Sequence, residues 1–244
     1  AIQGGFDYAH DSGFYIGNWN SSISWISDAY GKNGGVSGYN NTLGTVSAPI
    51  EMDFYAGFKK ELIGEGFATD IGFLQYYYPT SGIPNSAGVS ANPNTSEIYA
   101  AQNFTFGPVT GFAKVSYAVS TLFGTVNSTG SYYPDLTVNY DTGVWGLALN
   151  GHVGYQYVAG NQPNASINPT NYVGQSIANV SNSTLYSYTD WKLGVTKDFG
   201  GGLSAAIAYV GTNAATYKGG YSYSSPQGKN LGKSTGLISL TKTF

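Results

Sequence analysis

The 244-residue chain has no cysteine, no arginine and a single methionine, Met52. Without cysteine there is no disulfide and no thiolate metal site. Charged residues make up 9% of the chain, against roughly 25% in a soluble globular domain. The net charge of −3, with lysine as the only strong base, excludes the clustered cations that neutralise nucleic-acid phosphates. No run approaches the ~18 consecutive apolar residues of a membrane-spanning helix. A membrane crossing would therefore need a closed β-barrel, which satisfies every backbone group without water. The first residues also lack the charged start and apolar core of a secretory leader. That pattern predicts a chain processed or shortened at its front, or one that never carried a leader.

Glycine and tyrosine are abundant, 35 and 22 residues. Asn, Ser, Thr, Gly and Tyr stand where a soluble protein carries charge. Two surfaces suit that exchange: one facing lipid, or the polar surface of an extracellular adhesin. The last residues, 234–244, alternate Ile238, Leu240, Lys242 and Phe244 with Leu237, Ser239, Thr241 and Thr243. Period-two alternation is the mark of a half-buried strand. The same pattern recurs from Ile2 to Ala9, Phe14 to about Ile26, Ile50 to Lys59 and Phe67 to Tyr78. It continues over Glu97 to Phe106, Val109 to Val119, Asp135 to Tyr140, Trp145 to Tyr157, Asp190 to Thr196 and Leu203 to Tyr209.

The connections alternate in length. Short turns fall at 10–13, 60–66, 107–108, 141–143 and 200–202, and long Asn/Ser/Gly-rich loops at 28–47, 80–95, 121–131, 158–185 and 212–233. Outer-membrane barrels carry short periplasmic turns and longer external loops, and their strands alternate apolar-out with polar-in. Aromatic residues gather at both strand ends, among them Tyr8, Phe58, Phe106, Trp145 and Phe199 by the short turns and Trp25, Tyr77, Tyr132 and Tyr157 by the long loops. Such rings suit the two headgroup layers of a bilayer. The predicted fold is all-β: residues 1–244 as one antiparallel up-and-down transmembrane β-barrel with eleven strands in this sequence.

Several runs resemble the TorF-type porins of proteobacteria: residues 1–10, 12–17, 51–58, 75–79, 192–200 and 208–212. In order, they span nearly the whole chain. The resemblance implies an outer-membrane, porin-like barrel without catalytic residues. This chain departs from it in longer, more Asn/Ser-rich loops and in lacking an opening segment.

Assigning the apolar parity to lipid turns Asp7, Glu51, Asp53, Lys59, Asp70, Glu97, Lys114, Asp135, Asp141, His152, Asp190 and Lys192 toward the lumen. These are the candidate pore-lining residues, and their surplus of carboxylates predicts a modest cation preference. The competing reading is that acid–lysine pairs, such as Lys59 with Asp70 and Glu97 with Lys114, hold an occluded interior together.

On the stretch from Phe14 to about Ile26, Tyr15, Gly17, Trp19, Ser21, Ile23 and Trp25 read as the apolar, lipid-side face. His10 lies in a turn, and His152 reads as a lumenal polar residue without a second histidine at metal-ligand spacing. No Ser–His constellation points to a barrel hydrolase. Residues 31–35, with Gly flanking a Lys, are not followed by the Ser or Thr and helix of a phosphate-binding loop. The Asn-x-Ser/Thr matches, including Asn20, Asn40, Asn103 and Asn164, follow from Asn/Ser richness and two fall within strands.

The sequence thus predicts a porin-like channel of a bacterial outer membrane for passive diffusion of ions and small polar solutes. It predicts no cofactor, no metal, no enzymatic activity and no nucleic-acid partner. The rival is a non-conducting structural or surface-interaction barrel. Expected partners are outer-membrane lipid and the permeating solutes, with the long loops as the surface for neighbours or a second copy. Since bacterial single-chain barrels have an even strand count, a strand and loop ahead of Ala1 are expected, twelve in all. Ile2–Ala9 and the last strand should then not pair directly.

Overall fold

Alternation places β-branched and aromatic side chains on one face of each strand and polar ones on the other, and short turns return each strand beside its predecessor. The computed structural model describes residues 1–29, 46–81, 92–162, 179–214, 216–217, 219–225 and 228–244. Its strands are β1 (Gln3–Ala9), β2 (Phe14–Ser22), β3 (Ile50–Gly64), β4 (Phe67–Tyr77), β5 (Thr95–Phe106), β6 (Val109–Ala118), β7 (Tyr132–Asp141), β8 (Leu147–Gln156), β9 (Tyr188–Gly200), β10 (Leu203–Thr212) and β13 (Thr235–Lys242). Two short helices, α1 (Trp25–Ala29) and α2 (Asn182–Tyr186), and a small hairpin of β11 (Thr216–Tyr217) and β12 (Gly220–Tyr221) sit in long loops. The glycine-flanked Lys at 31–35, Asn40 and Asn164 fall outside the described residues.

Eleven strands form one antiparallel sheet in sequence order, β1 to β10 and then β13. Each pairs with its neighbours in the chain, the up-and-down order the alternating connections predict. β1 and β13 are the two edges and do not pair with one another. As expected, these strands do not close directly; the sheet of the described residues is open there.

One face is concave. Tyr15 on β2 donates to Asp70 Oδ1 on β4 at 2.6 Å and its hydroxyl meets that of Tyr99 on β5. Strands three places apart lie roughly 14 Å from each other along a sheet, and the two rings span it by leaning toward each other over Gly57 and Gly72. The other face carries exposed apolar side chains, Leu193 at 68% and Ile207 at 64% among them. The buried apolar clusters sit at the long-loop end: Ile26, Val46, Ala48 and Tyr78; Ala118, at the end of β6, with Leu122 and Val158; and Leu185. Within the sheet itself the described residues form no apolar core.

Several strand bounds differ from expectation, β7 and β9 being longer than their alternation suggests, and four differences bear on turns and faces. β3 extends past Lys60 through Gly64, because Lys60 and Glu61 keep pairing with Thr69 and Ala68. Its turn closes at Gly66 (φ 80°), whose N–H donates to Glu61 Oε1 at 2.9 Å. β8 begins at Leu147, because Trp145 (φ 53°) and Gly146 (φ 64°) belong to the turn. β2 ends at Ser22, and Trp25 and Ile26 enter α1.

The fourth is a reversal of faces. Register pairs Trp19 with Asp53, Gly17 with Tyr55 and Ser21 with Glu51, which puts Tyr15, Gly17, Trp19 and Ser21 on the concave side. Phe14, Ile16, Asn18 and Asn20 face outward beside Phe58, Ala56, Phe54 and Met52. Pairing with β3, whose faces are unambiguous, overrides the weak preference of a strand with aromatics on both sides. The outward polar groups bond laterally: Asn20 Nδ2 donates to Asn18 Oδ1 at 2.5 Å, Thr69 Oγ1 to Gln102 Oε1 at 2.8 Å and Ser96 Oγ to Gln75 Oε1 at 2.6 Å. Lys242 and Lys197, outward near the short turns, donate to the carbonyls of Gly201 and Trp145.

Candidate functional site

The strand register brings the candidate residues to one face. Asp7 opposes Gly17, Ser21 opposes Glu51, Trp19 opposes Asp53 and Lys59 opposes Asp70. Glu97 opposes Leu74, Lys114 opposes Asp135, His152 opposes Lys192 and Asp190 opposes Gly154. Asp141, opposite Ala148, shares the same parity. All of these lie on the concave side.

Tyrosine dominates the spaces between them, and glycine makes the room. A Cβ on Gly17 would overlap the Tyr55 ring, one on Gly57 the Tyr15 ring, one on Gly72 the Tyr99 ring and one on Gly154 the Tyr133 ring. Each ring lies over a glycine of an adjoining strand; Tyr99 meets the Tyr15 hydroxyl, and the other three reach a carboxylate further on. Tyr55 donates to Asp7, Tyr15 to Asp70 and Tyr133 to both oxygens of Asp190 at 3.0 Å. In the sequence Tyr55, Gly57, Gly72, Tyr99, Tyr133 and Gly154 stand at the parity of the lumenal charges, whereas Tyr15 and Gly17 read as lipid-facing; which ring meets which glycine is set by register.

This network replaces the acid–lysine pairs that the sequence suggests. Lys59 and Asp70 are opposite each other, yet Asp70 is taken by Tyr15 while Lys59 Nζ lies 3.4 Å from Asn103 Oδ1. Lys114 sits 4.6 Å over the Tyr99 ring. Among the described residues the ion pairs involve only His152. A tyrosine hydroxyl reaches across two strands on a rigid ring, whereas a lysine must immobilise a long chain to do the same.

Toward the long-loop end, Glu51 Oε2 accepts from Tyr78 at 2.6 Å. Burial first, and then this bond and the charge of Glu51, push the Tyr78 phenol above its ordinary range, so it remains a donor. Tyr76 and Tyr78 pack edge-on against Phe123. Asp53 Oδ1 is buried without a hydrogen-bond partner among the described residues. At the other end, a hollow of about 360 Å³ is lined by Asp7, His10, Tyr15, Tyr55 and Lys59, among others. His10 there bonds only within its own turn, to Ser12 Oγ at 2.8 Å.

His152 on β8 is the most constrained polar group on the concave face. Its Nδ1 lies 2.9 Å from Asp135 Oδ1 on β7 and its Nε2 2.8 Å from Asp190 Oδ1 on β9. Thr137 Oγ1 is 3.1 Å from Nδ1 and 3.2 Å from Asp135 Oδ1. Thr137, His152 and Asp190 form a hydroxyl–imidazole–carboxylate line, which superficially resembles a nucleophilic triad. Asp135 spoils it, because it competes for the same Nδ1 and takes the Thr137 proton itself. No group of three His, Cys, Asp or Glu residues able to hold a metal occurs among the described residues.

A bacterial family described as "Bacterial protein of unknown function (Gcw_chp)" matches residues 1–244. No curated protein matches the sequence. Two solved structures overlap 98% of this chain at 12% identity with a TM-score of 0.44: "Structure of porin refined at 1.8 angstroms resolution" and "Anion-selective porin from Comamonas acidovorans". The chain spans 60% and 58% of their respective lengths.

Proposed function

We propose that this chain, which belongs to the Gcw_chp family of bacterial proteins, acts in an outer membrane as a porin-like β-barrel channel for passive diffusion of ions and small polar solutes. One observation carries the proposal: away from the short turns charge lies on the concave face while an exposed apolar band covers the other, with no apolar core between them among the described residues. Such a band in water would be a liability far beyond the few hundred Å² of apolar patch that soluble proteins tolerate. In lipid it is the required surface, where a lysine at mid-height would cost about 2–4 kcal/mol. The resemblance of residues 1–10, 51–58 and 192–200 to TorF-type porins supports the same reading.

Asp7, Glu51, Asp53, Lys59, Asp70, Glu97, Lys114, Asp135, His152, Asp190 and Lys192 would then line the path. Carboxylates outnumber lysines on this wall, so a modest cation preference follows. The function needs no covalent step or cofactor. A second reading, a non-conducting structural or surface-interaction barrel, is favoured by the tyrosines that bridge the concave face and narrow it.

Conductance in planar bilayers separates the two. Discrete channels should appear, with a reversal potential in a salt gradient of the sign that marks cation preference. Joint replacement Glu51→Gln, Asp53→Asn and Asp190→Asn should move that potential toward zero. Protein that inserts without conducting refutes the channel, and an anion-selective channel refutes the assigned wall.

A further inference from the structure

We propose that His152, held between Asp135 and Asp190, is a proton-operated clasp across β7, β8 and β9 that switches the charge of the concave wall. The geometry dictates the switch. Both ring nitrogens lie within 2.9 Å of a carboxylate oxygen. A carboxylate only accepts, so both contacts are hydrogen bonds only when both nitrogens carry protons. The neutral ring has one donor and one lone pair. Removing a proton therefore turns one of the two contacts into a repulsion between lone pairs and releases one aspartate.

The surroundings allow that release while holding the rest in place. The one Tyr133 hydroxyl proton is shared between the two Asp190 oxygens at 3.0 Å, with His152 Nε2 3.3 Å away, so Asp190 keeps a donor when the ring lets go. Asp135 keeps only Thr137 at 3.2 Å besides the imidazole, so it is the aspartate set free. The other charged or titratable groups facing the clasp are Lys114 on β6, opposite Asp135, and Lys192 and Tyr188 on β9. The clasp thus goes from a net charge of −1, imidazolium between two carboxylates, to −2 when the ring is neutral. Cation preference should rise as pH rises through that step. It should fall when acid protonates the carboxylates.

The selectivity effect rests on the channel reading; the clasp itself does not, and the two are tested separately. The chain has two histidines, so ¹⁵N-histidine labelling of the refolded protein in micelles, with His10→Gln for assignment, reads His152 alone. At the acid end both ring nitrogens should be protonated, and the ring and the Asp135 side-chain carbon should titrate together. In bilayers, the cation-to-anion permeability ratio should rise roughly twofold across the same pH step, the effect of one charge at pore-wall distance in salt. His152→Gln should conduct and lack the step. Asp135→Asn, which retains the fold through Thr137 and Asp190, should remove the coupled carbon signal. A ring that titrates without Asp135, or a selectivity step that survives His152→Gln, overturns the clasp. A coupled titration in protein that never conducts upholds the clasp and overturns the channel.

Discussion

Asp53 and Asp70 occupy the same face of neighbouring strands, and their side chains meet opposite circumstances. Asp70 accepts a 2.6 Å bond from Tyr15, whereas Asp53 has a buried oxygen with no partner among the described residues and Glu51 nearby on the same face. An unpaired buried polar group costs about 1–3 kcal/mol, and a charged bond contributes about as much. Asp53→Asn should therefore leave urea unfolding in micelles unchanged or raise stability by about 1 kcal/mol, and Asp70→Asn should lower it by about 1–2 kcal/mol. Equal losses at both sites would show that Asp53 has a partner of its own. Gly154 gives a second test, because its missing side chain is what admits the Tyr133 ring. Gly154→Ala should destabilise by about 1–3 kcal/mol through overpacking. In a Tyr133→Ala background the same change should cost almost nothing, and additive losses would contradict the packing.

Among the elements, β3 to β10 were legible because each has one aliphatic face, and register then follows from parity and short turns. β2 was not. Its aromatics Tyr15 and Trp19 lie on one parity and Phe14 on the other, so counting rings as apolar chose the wrong face. Its neighbour β3, with Met52 and Phe54 against Glu51 and Asp53, decides the question through pairing. The His152 site was hidden for a related reason. Each member is visible at concave parity, but the contact joins three strands, and the loop between β8 and β9 hides how Asp190 falls against His152. The absence of cysteine allows a direct check of β2. Single cysteines at Tyr15, Gly17 and Trp19 should react with a membrane-impermeant thiol reagent in reconstituted protein. Those at Phe14, Ile16 and Asn18 should be shielded from it and reached by a lipid-soluble one. The opposite pattern would restore the face that composition alone suggests.

For the whole molecule, strand direction sets what the two edges can do. Antiparallel pairing through eleven strands leaves β1 and β13 running the same way, so direct closure would join them in parallel within an otherwise antiparallel sheet. Among the described residues of these 244, each edge thus presents a row of N–H and C=O groups without sheet partners, and such groups in lipid cost several kcal/mol each. Stability should therefore grade across the sheet rather than be uniform, since opening is easiest where ladders are single. In micelles of these 244 residues, amide hydrogen exchange should be fast in β1 and β13, slower in β2 and β10, and slowest from β4 to β8. The rows that exchange fastest should be alternate amides, those pointing away from the one paired neighbour. Protection of both edges equal to that of β5 and β6 would mean that β1 and β13 are paired in solution, with each other or across two copies. Dilution in detergent tells these apart, because pairing between copies loses its protection and parallel closure within one chain keeps it.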